Sequence, residues 1–130
     1  MTSPKATWLS WSSGKDSAWA LHELRQSTSH QVTGLFTTVN TAFDRVAMHA
    51  VRVELLRQQA DAVGLPLVLI EIPHPCSNAD YEAVMAAFVA RARGEGVQCM
   101  AFGDLYLEDV RRYREDKLQG SGIEPAFPLW

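Results

Sequence analysis

The 130-residue sequence has few cysteines, no excess of basic charge and no long apolar run. Cys76 and Cys99 match no metal-binding spacing and make no disulfide framework, so we expect a reducing, cytoplasmic location. The 12 basic residues are outnumbered by 15 acidic ones, and the net charge of −3 argues against a nucleic-acid surface. With no apolar signal core and no stretch that could span a bilayer, a membrane partner is not expected.

The size and the apolar content bound the organisation of the chain. A length of 130 residues predicts one domain, and 47% hydrophobic residues are enough for a single core. One local basic group interrupts the acidic balance, and it consists of Arg111, Arg112, Arg114 and Lys117. We interpret this group as a solvated helix face, and a local nucleic-acid patch is the alternative.

Hydrophobic periodicity predicts strands and helices in strict alternation. The predicted strands are residues 5–11, 32–39, 67–72, 97–102 and 126–130, and the predicted helices are residues 17–26, 47–63, 78–93 and 105–118. Asn78 or Asp80 is the expected cap of the third helix. This order predicts an α/β fold, with a parallel sheet between two helix layers. Ligands of such sheets bind beyond the carboxyl ends of the strands, where the strand order reverses.

The loop after the first predicted strand, residues 12–17, reads Ser-Ser-Gly-Lys-Asp-Ser and leads directly into a helix. Its small residues let the backbone approach an anion, and Gly14 can take a positive φ angle without steric cost. The unpaired amides at the start of the helix favour phosphate. Ser12 and Ser17 add hydroxyl donors, so the loop predicts a phosphate site.

Two charged residues of the loop indicate the chemistry of its ligand. Lys15 offers a cation to phosphates, whereas the carboxylate of Asp16 fits beside them only if Mg²⁺ lies between. This is not a Walker A loop, because Leu9 occupies the position of its first glycine and Asp16 replaces its Ser or Thr. An ordinary serine-capped helix after a strand is the structural alternative.

The loop resembles the Ser-Gly-Gly-x-Asp-Ser loop of N-type ATP pyrophosphatases, or PP-loop proteins, with Ser13 where most members have glycine. Later segments resemble the diphthine–ammonia ligase family and its bacterial relatives. These segments are residues 44–49, 59–67, 75–78 with Tyr81 and Glu82, 102–104 with Glu108 and Asp109, and 127–130. The similarity therefore runs over nearly the whole chain, from about Trp8 to Trp130.

This resemblance implies a HUP-type (Rossmann-like) three-layer fold with a five-stranded parallel sheet and helices on both faces. It implies that ATP, with Mg²⁺, is cleaved to AMP and pyrophosphate, and that an adenylylated carboxylate then reacts with ammonia or another amine. The acceptor is not implied, because bacteria lack the modified histidine of elongation factor 2 that diphthine–ammonia ligase amidates. Residues 1–130 correspond to the PP-loop ATP-binding domain, with the family's further acceptor region expected to be absent or truncated. Homo-oligomerisation stays open.

The candidate site residues combine the loop with the resemblance. Lys15 and Asp16 are the predicted catalytic residues, and Asp16 and Asp104 are the predicted metal ligands. The predicted ATP-binding residues are Ser12, Ser13, Gly14, Lys15, Asp16, Ser17, His49, Gly103 and Asp104. Glu82 is the candidate for the acceptor site.

Several of these residues have a structural alternative. Asp104 fits a helix cap, His49 fits a histidine bonded to the backbone, and Glu82 fits a solvated first-turn residue. Cys76 is interpreted as a structural loop cysteine, and we expect Trp8, Trp11 and Trp19 to be packing residues.

Three functions remain in competition. An ATP-dependent amide ligase is the leading hypothesis. An ATP or AMP sensor resembling universal stress proteins would bind nucleotide without releasing pyrophosphate. A tRNA-modifying PP-loop enzyme would need salt-sensitive RNA affinity, which the acidic balance does not favour.

Overall fold

The computed structural model describes residues 3–12, 14–40, 46–73, 77–103 and 108–130, and only the backbone of residues 40 and 46–52. These residues form five strands and four helices in alternation. In chain order they are β1 (Lys5–Ser10), α1 (Lys15–Gln26), β2 (His30–Asn40), α2 (Val46–Val63), β3 (Leu67–Ile72), α3 (Asn78–Gly94), β4 (Cys99–Ala101), α4 (Glu108–Leu118) and β5 (Glu124–Ala126).

The five strands form one parallel sheet in the order β3-β2-β1-β4-β5. The chain adds β2 and β3 on one side of β1, and then crosses back to add β4 and β5 on the other. The strand order therefore reverses between β1 and β4, and the carboxyl ends of these two strands flank the crevice where such sheets bind ligands.

Apolar residues divide between the two faces of the sheet, which makes the three-layer arrangement. On one face, Leu21 of α1 and Leu56 of α2 pack with Leu9 of β1. On the other face, Phe88 of α3 and Leu118 of α4 join a cluster with Trp8. This arrangement confirms the predicted α/β fold, a Rossmann-like sheet with helices on both faces.

Aromatic packing fixes the floor of the α3–α4 face. The Phe88 ring lies 5.0 Å from the Phe36 ring and 5.8 Å from the Trp8 indole, centroid to centroid. Gly34 makes room for that indole, since a Cβ there would lie 2.9 Å from Trp8 Nε1. The β1–β2 register shifts at this point, so the bulky indole stands beside the residue without a side chain.

The predicted ends of several elements were wrong. The fifth strand is Glu124–Ala126 and not residues 126–130, because Pro125 is tolerated in an edge strand. Neither Asn78 nor Asp80 caps α3: the Ser77 hydroxyl does, accepting a hydrogen bond of 3.1 Å from the Asp80 amide. The predicted start of the fourth helix at residue 105 lies outside the described residues. Within the described ranges, no helix has the length and apolarity needed to cross a membrane.

Candidate functional site

The β1–α1 loop is held by a side chain from within the following helix. Ser17 is 4% exposed, and its Oγ accepts a hydrogen bond of 2.9 Å from the Ser12 amide. The hydroxyl oxygens of Ser12 and Ser17 also lie 2.7 Å apart, within hydrogen-bond distance. The Ser17 hydroxyl, predicted as a phosphate donor, therefore braces the loop from inside, whereas Ser12 lies on the exposed side.

The start of α1 carries no side-chain cap. Gly14 is the N-cap residue, and its carbonyl accepts from the Ala18 amide at 3.3 Å. Its φ angle is −95°, so it does not use the positive φ that glycine permits, and the glycine leaves the helix start without a side chain over it. The amides of the first turn are donors without intrahelical partners, and they lie at the positive end of the helix dipole. The arrangement suits an anion at this end of α1.

Gly103 closes the gap between β4 and the start of α1. A Cβ at this position would lie 3.2 Å from the carbonyl oxygen of Asp16 and 3.7 Å from the Cβ of Ala20. The first turn of α1 therefore packs against this glycine, and this contact seats the helix start against the end of β4. Gly103 thereby positions the loop. The predicted contact of Gly103 with ATP stays a prediction.

The charged residues of the loop are Lys15, which is exposed, and Asp16, which is half-buried in the first helical turn. His49 falls in the first turn of α2, as the sequence indicated, but its side chain lies outside the described residues. Ser13 and Asp104 also lie outside them. Among described residues, no three His, Cys, Asp or Glu side chains cluster as a metal site. The Asp16–Asp104 pairing thus stays a prediction.

A cleft of about 920 Å³ opens beside the loop, on the α3–α4 face of the sheet. Its floor comes from β1, β2 and β4, and its walls come from α3 and α4. Floor residues include Ser10, Ser12, Phe36, Thr37, Met100 and Phe102; wall residues include Tyr81, Met85, Val89, Tyr113, Leu118 and Ser121. The volume falls within the range of about 300–1,000 Å³ that is typical of small-molecule sites.

An ion pair joins the two walls of this cleft. Lys117 Nζ of α4 lies 2.6 Å from both carboxylate oxygens of Glu82 of α3, and the two side chains are each about half exposed. The hydrogen bond that Lys117 donates to Glu82 raises the pKa of Lys117 above its ordinary value. Glu82 lines the cleft and is paired with Lys117, and its role near an acceptor stays a prediction.

The interpretation of the basic group on α4 as a solvated helix face was only partly correct. Arg112 is exposed, as a solvated face requires. Arg114 places its guanidinium carbon 4.3 Å from the centre of the Phe102 ring and lines the cleft. Arg111 lies over both Phe127 and Trp130, at 4.6 and 4.9 Å. These are cation–π contacts, so two of the arginines are structural parts of the carboxyl edge of the sheet.

The tryptophans differ in their burial, and Cys99 is a buried free cysteine. Trp8 and Trp11 are buried, and the Trp11 indole donates a hydrogen bond of 2.8 Å to Gln59 of α2. Trp19 is 52% exposed, so the expectation that it packs was wrong. Burial raises the pKa of the Cys99 thiol to about 11, which leaves it protonated and unreactive at neutral pH. Cys76 lies outside the described residues.

Sequence reasoning missed the cleft and most of its lining. Thr37 was predicted only as part of a strand, and Arg93 only as the end of a helix. One weak signal was available: α3 carries small or flexible residues at Met85, Ala86 and Ala90, which leave space on the wall they form. A cleft depends on the spacing of two helices, which the sequence pattern does not encode.

Comparison with known proteins agrees with this geometry. The model of the family described as diphthamide synthase N-terminal domain matches residues 5–125, which span the whole sheet except its last residue. A search of curated proteins gives no match to the chain. The matched range contains the braced loop, Gly103 and both walls of the cleft. The chain therefore belongs to the diphthamide synthase N-terminal domain family, a family of PP-loop ATP pyrophosphatases.

Proposed function

We propose that this protein binds ATP with its phosphates on the β1–α1 loop and acts as an ATP-dependent amide ligase. The observation that carries the proposal is the uncapped start of α1, braced by the Ser17–Ser12 hydrogen bonds at the point where the strand order reverses. An anion-binding helix start at this point is the arrangement in which α/β sheets hold nucleotides. Membership of a PP-loop family supports ATP as the nucleotide.

The residues of the loop would make different contacts with the triphosphate. The amides of the first turn of α1 donate hydrogen bonds to phosphate oxygens, and the exposed Lys15 adds a mobile positive charge. The side chain of Asp16, together with Asp104 by the sequence argument, would hold Mg²⁺. When bound, Mg²⁺ neutralises the charge that develops on the departing pyrophosphate. Hydrogen-bond donors that are already held in place around that charge lower the activation barrier, because they need not reorganise during the reaction.

The remaining proposed contacts concern the rest of the ATP molecule. The nucleoside would leave the loop toward the neighbouring end of the cleft, which is lined by Ser10 of β1 and by Thr37 and Thr38 of β2. Ser13 and His49 are proposed as further contacts on the resemblance alone.

The proposed reaction has two steps. A carboxylate oxygen of the acceptor attacks the α-phosphorus, the bond to the bridging oxygen of the β-phosphate breaks, and pyrophosphate leaves with that electron pair. Ammonia or another amine then attacks the acyl carbon, AMP leaves, and the nitrogen loses a proton to give the amide. No protein side chain forms a covalent bond, so catalysis rests on positioning and charge neutralisation.

The test measures ATP binding and the products of ATP cleavage. ATP labelled at the α-phosphate is incubated with Mg²⁺, ammonia and candidate carboxylates; release of labelled AMP with pyrophosphate supports the ligase, and labelled ADP contradicts it. Tight binding without turnover would favour the sensor function. Lys15→Ala should weaken ATP binding about tenfold, a loss of ~1.4 kcal/mol. Lys5→Ala is the matched control, since Lys5 pairs with Glu124 at the start of β1 and β5.

A further inference from the structure

We propose that the cleft between α3 and α4 binds the acceptor, as an elongated molecule with an apolar body and a second anionic group held by Arg93. The reacting carboxylate would then face the β1–α1 loop. The proposal rests on the proposed function for the reaction, but the binding site itself stands on the shape and charge of the cleft.

The cleft runs the full height of the sheet. At one end it is lined by Ser12 of the β1–α1 loop, and at the other by Arg93 and Ser121, which lie near the ends of α3 and α4. On the α3 wall the lining extends from Tyr81 to Gly94, about 20 Å at the rise of an α-helix. A nucleoside at the loop end leaves much of this length for a second molecule.

The middle of the cleft is apolar. Met85 and Val89 face it from α3, Met100 from the floor and Leu118 from α4. Met side chains adapt to ligands of irregular shape, and apolar surface here would be removed from water when a hydrocarbon chain binds. The body of the acceptor should therefore be hydrocarbon.

The charges of the cleft favour an anion, although the whole chain carries a net charge of −3. Among the described residues that line it, three are cationic, Arg93, Arg114 and Lys117, and one is a carboxylate, Glu82. Glu82 and Lys117 neutralise each other as an ion pair, and Arg114 lies over the Phe102 ring. Arg93 contributes a further positive charge to this lining, and that charge attracts an anionic ligand.

Arg93 is the cation best placed to hold the second anionic group. Within the described ranges its side chain makes no hydrogen bond or ion pair, unlike that of Arg91, which pairs with Glu95 at 3.0 Å. Its guanidinium lies over Gly122, where a Cβ would come within 2.9 Å of it. The glycine leaves room for the planar group, whose fork of donors matches a carboxylate.

The experiment uses three probes of equal chain length: octanedioate, octanoate and 1,8-diaminooctane. Binding to the full chain is followed by calorimetry and by amide shifts in two-dimensional NMR. We expect octanedioate to bind more tightly than octanoate, the diamine not to bind, and the shifted amides to lie in α3 and α4. Arg93→Met should weaken octanedioate about tenfold, and Arg93→Lys should retain part of the affinity. Arg91→Met, on the same helix, is the matched control.

Several results would overturn the proposal. They are equal weakening by Arg91→Met, binding of the diamine, displacement of octanedioate by ATP, and no octanedioate binding up to about 10 mM. ATP affinity measured on the same samples separates the two proposals. If ATP binds and octanedioate does not, the acceptor site alone fails. If octanedioate binds and ATP does not, the ligase function fails while the cleft remains a binding site.

Discussion

Replacing Gly103 by alanine tests whether the contact between β4 and α1 holds the phosphate loop in place. The added Cβ would lie 3.2 Å from the Asp16 carbonyl oxygen and 3.4 Å from its carbon, both backbone atoms that cannot rotate away. The first turn of α1 must therefore move by a few tenths of an ångström. Overpacking costs about 1–3 kcal/mol, and we expect the lower half of that range because one helix end can yield.

The same displacement should reach the amides that are proposed to bind phosphate. We expect ATP affinity to fall about three- to tenfold, roughly 0.7–1.4 kcal/mol, because the donors no longer converge on the same oxygens. Urea denaturation and ATP titration measure the two effects. Gly94→Ala is the matched control: no atom lies within 4 Å of its added Cβ, so stability should hold or rise slightly.

Two results would refute this reasoning in different ways. If Gly103→Ala unfolds at the urea concentration of the unmodified protein, the tight contact does not exist in solution. If the variant is destabilised but binds ATP normally, the first turn of α1 is not where the phosphates bind.

Three further changes test other parts of the structure. Ser17→Ala removes the buried hydroxyl that accepts the loop amide, and urea unfolding should show a loss of about 1–2 kcal/mol. Gly122→Ala should cost a similar amount, about 1–2 kcal/mol, because φ is +85° and the new Cβ displaces Arg93; an unchanged melting temperature would contradict this. Cys99 should resist alkylation at pH 8 until the protein unfolds. Its pKa is raised from 9.0 to about 11, so the free energy of unfolding should fall as pH rises through that interval.

The order of elements could be predicted because each carries a strong local pattern. Residues 67–72 form β3 as predicted, since a nearly continuous apolar run between Gly64–Pro66 and Pro73 fits little else. The fifth strand begins earlier than predicted and includes Pro125, which occupies an edge position where its missing amide does no harm. Edge positions depend on the tertiary order of strands, which local sequence does not encode.

The candidate site was also predicted where its signal is local and missed where it depends on contacts between distant residues. The loop was found because small residues, a lysine and a helix start are contiguous in sequence. The backbone conformation of Gly14 could not be predicted, because glycine permits positive φ without requiring it. Arg114 was assigned to solvent when it lies over Phe102, and the close approach of α1 to Gly103 was not foreseen. Both are contacts between residues far apart in the chain.

The short fifth strand limits how the sheet can grow. The Glu124 amide donates to Gln98 and the Ala126 carbonyl accepts from Phe102, so both residues turn their hydrogen-bonding groups toward β4. Backbone groups alternate along a strand, so those of Pro125, between them, turn outward. Proline has no amide proton to offer there. A sixth strand would find the Pro125 carbonyl as an acceptor but no amide donor beside it. This edge of the sheet is therefore a poor template for pairing with another chain.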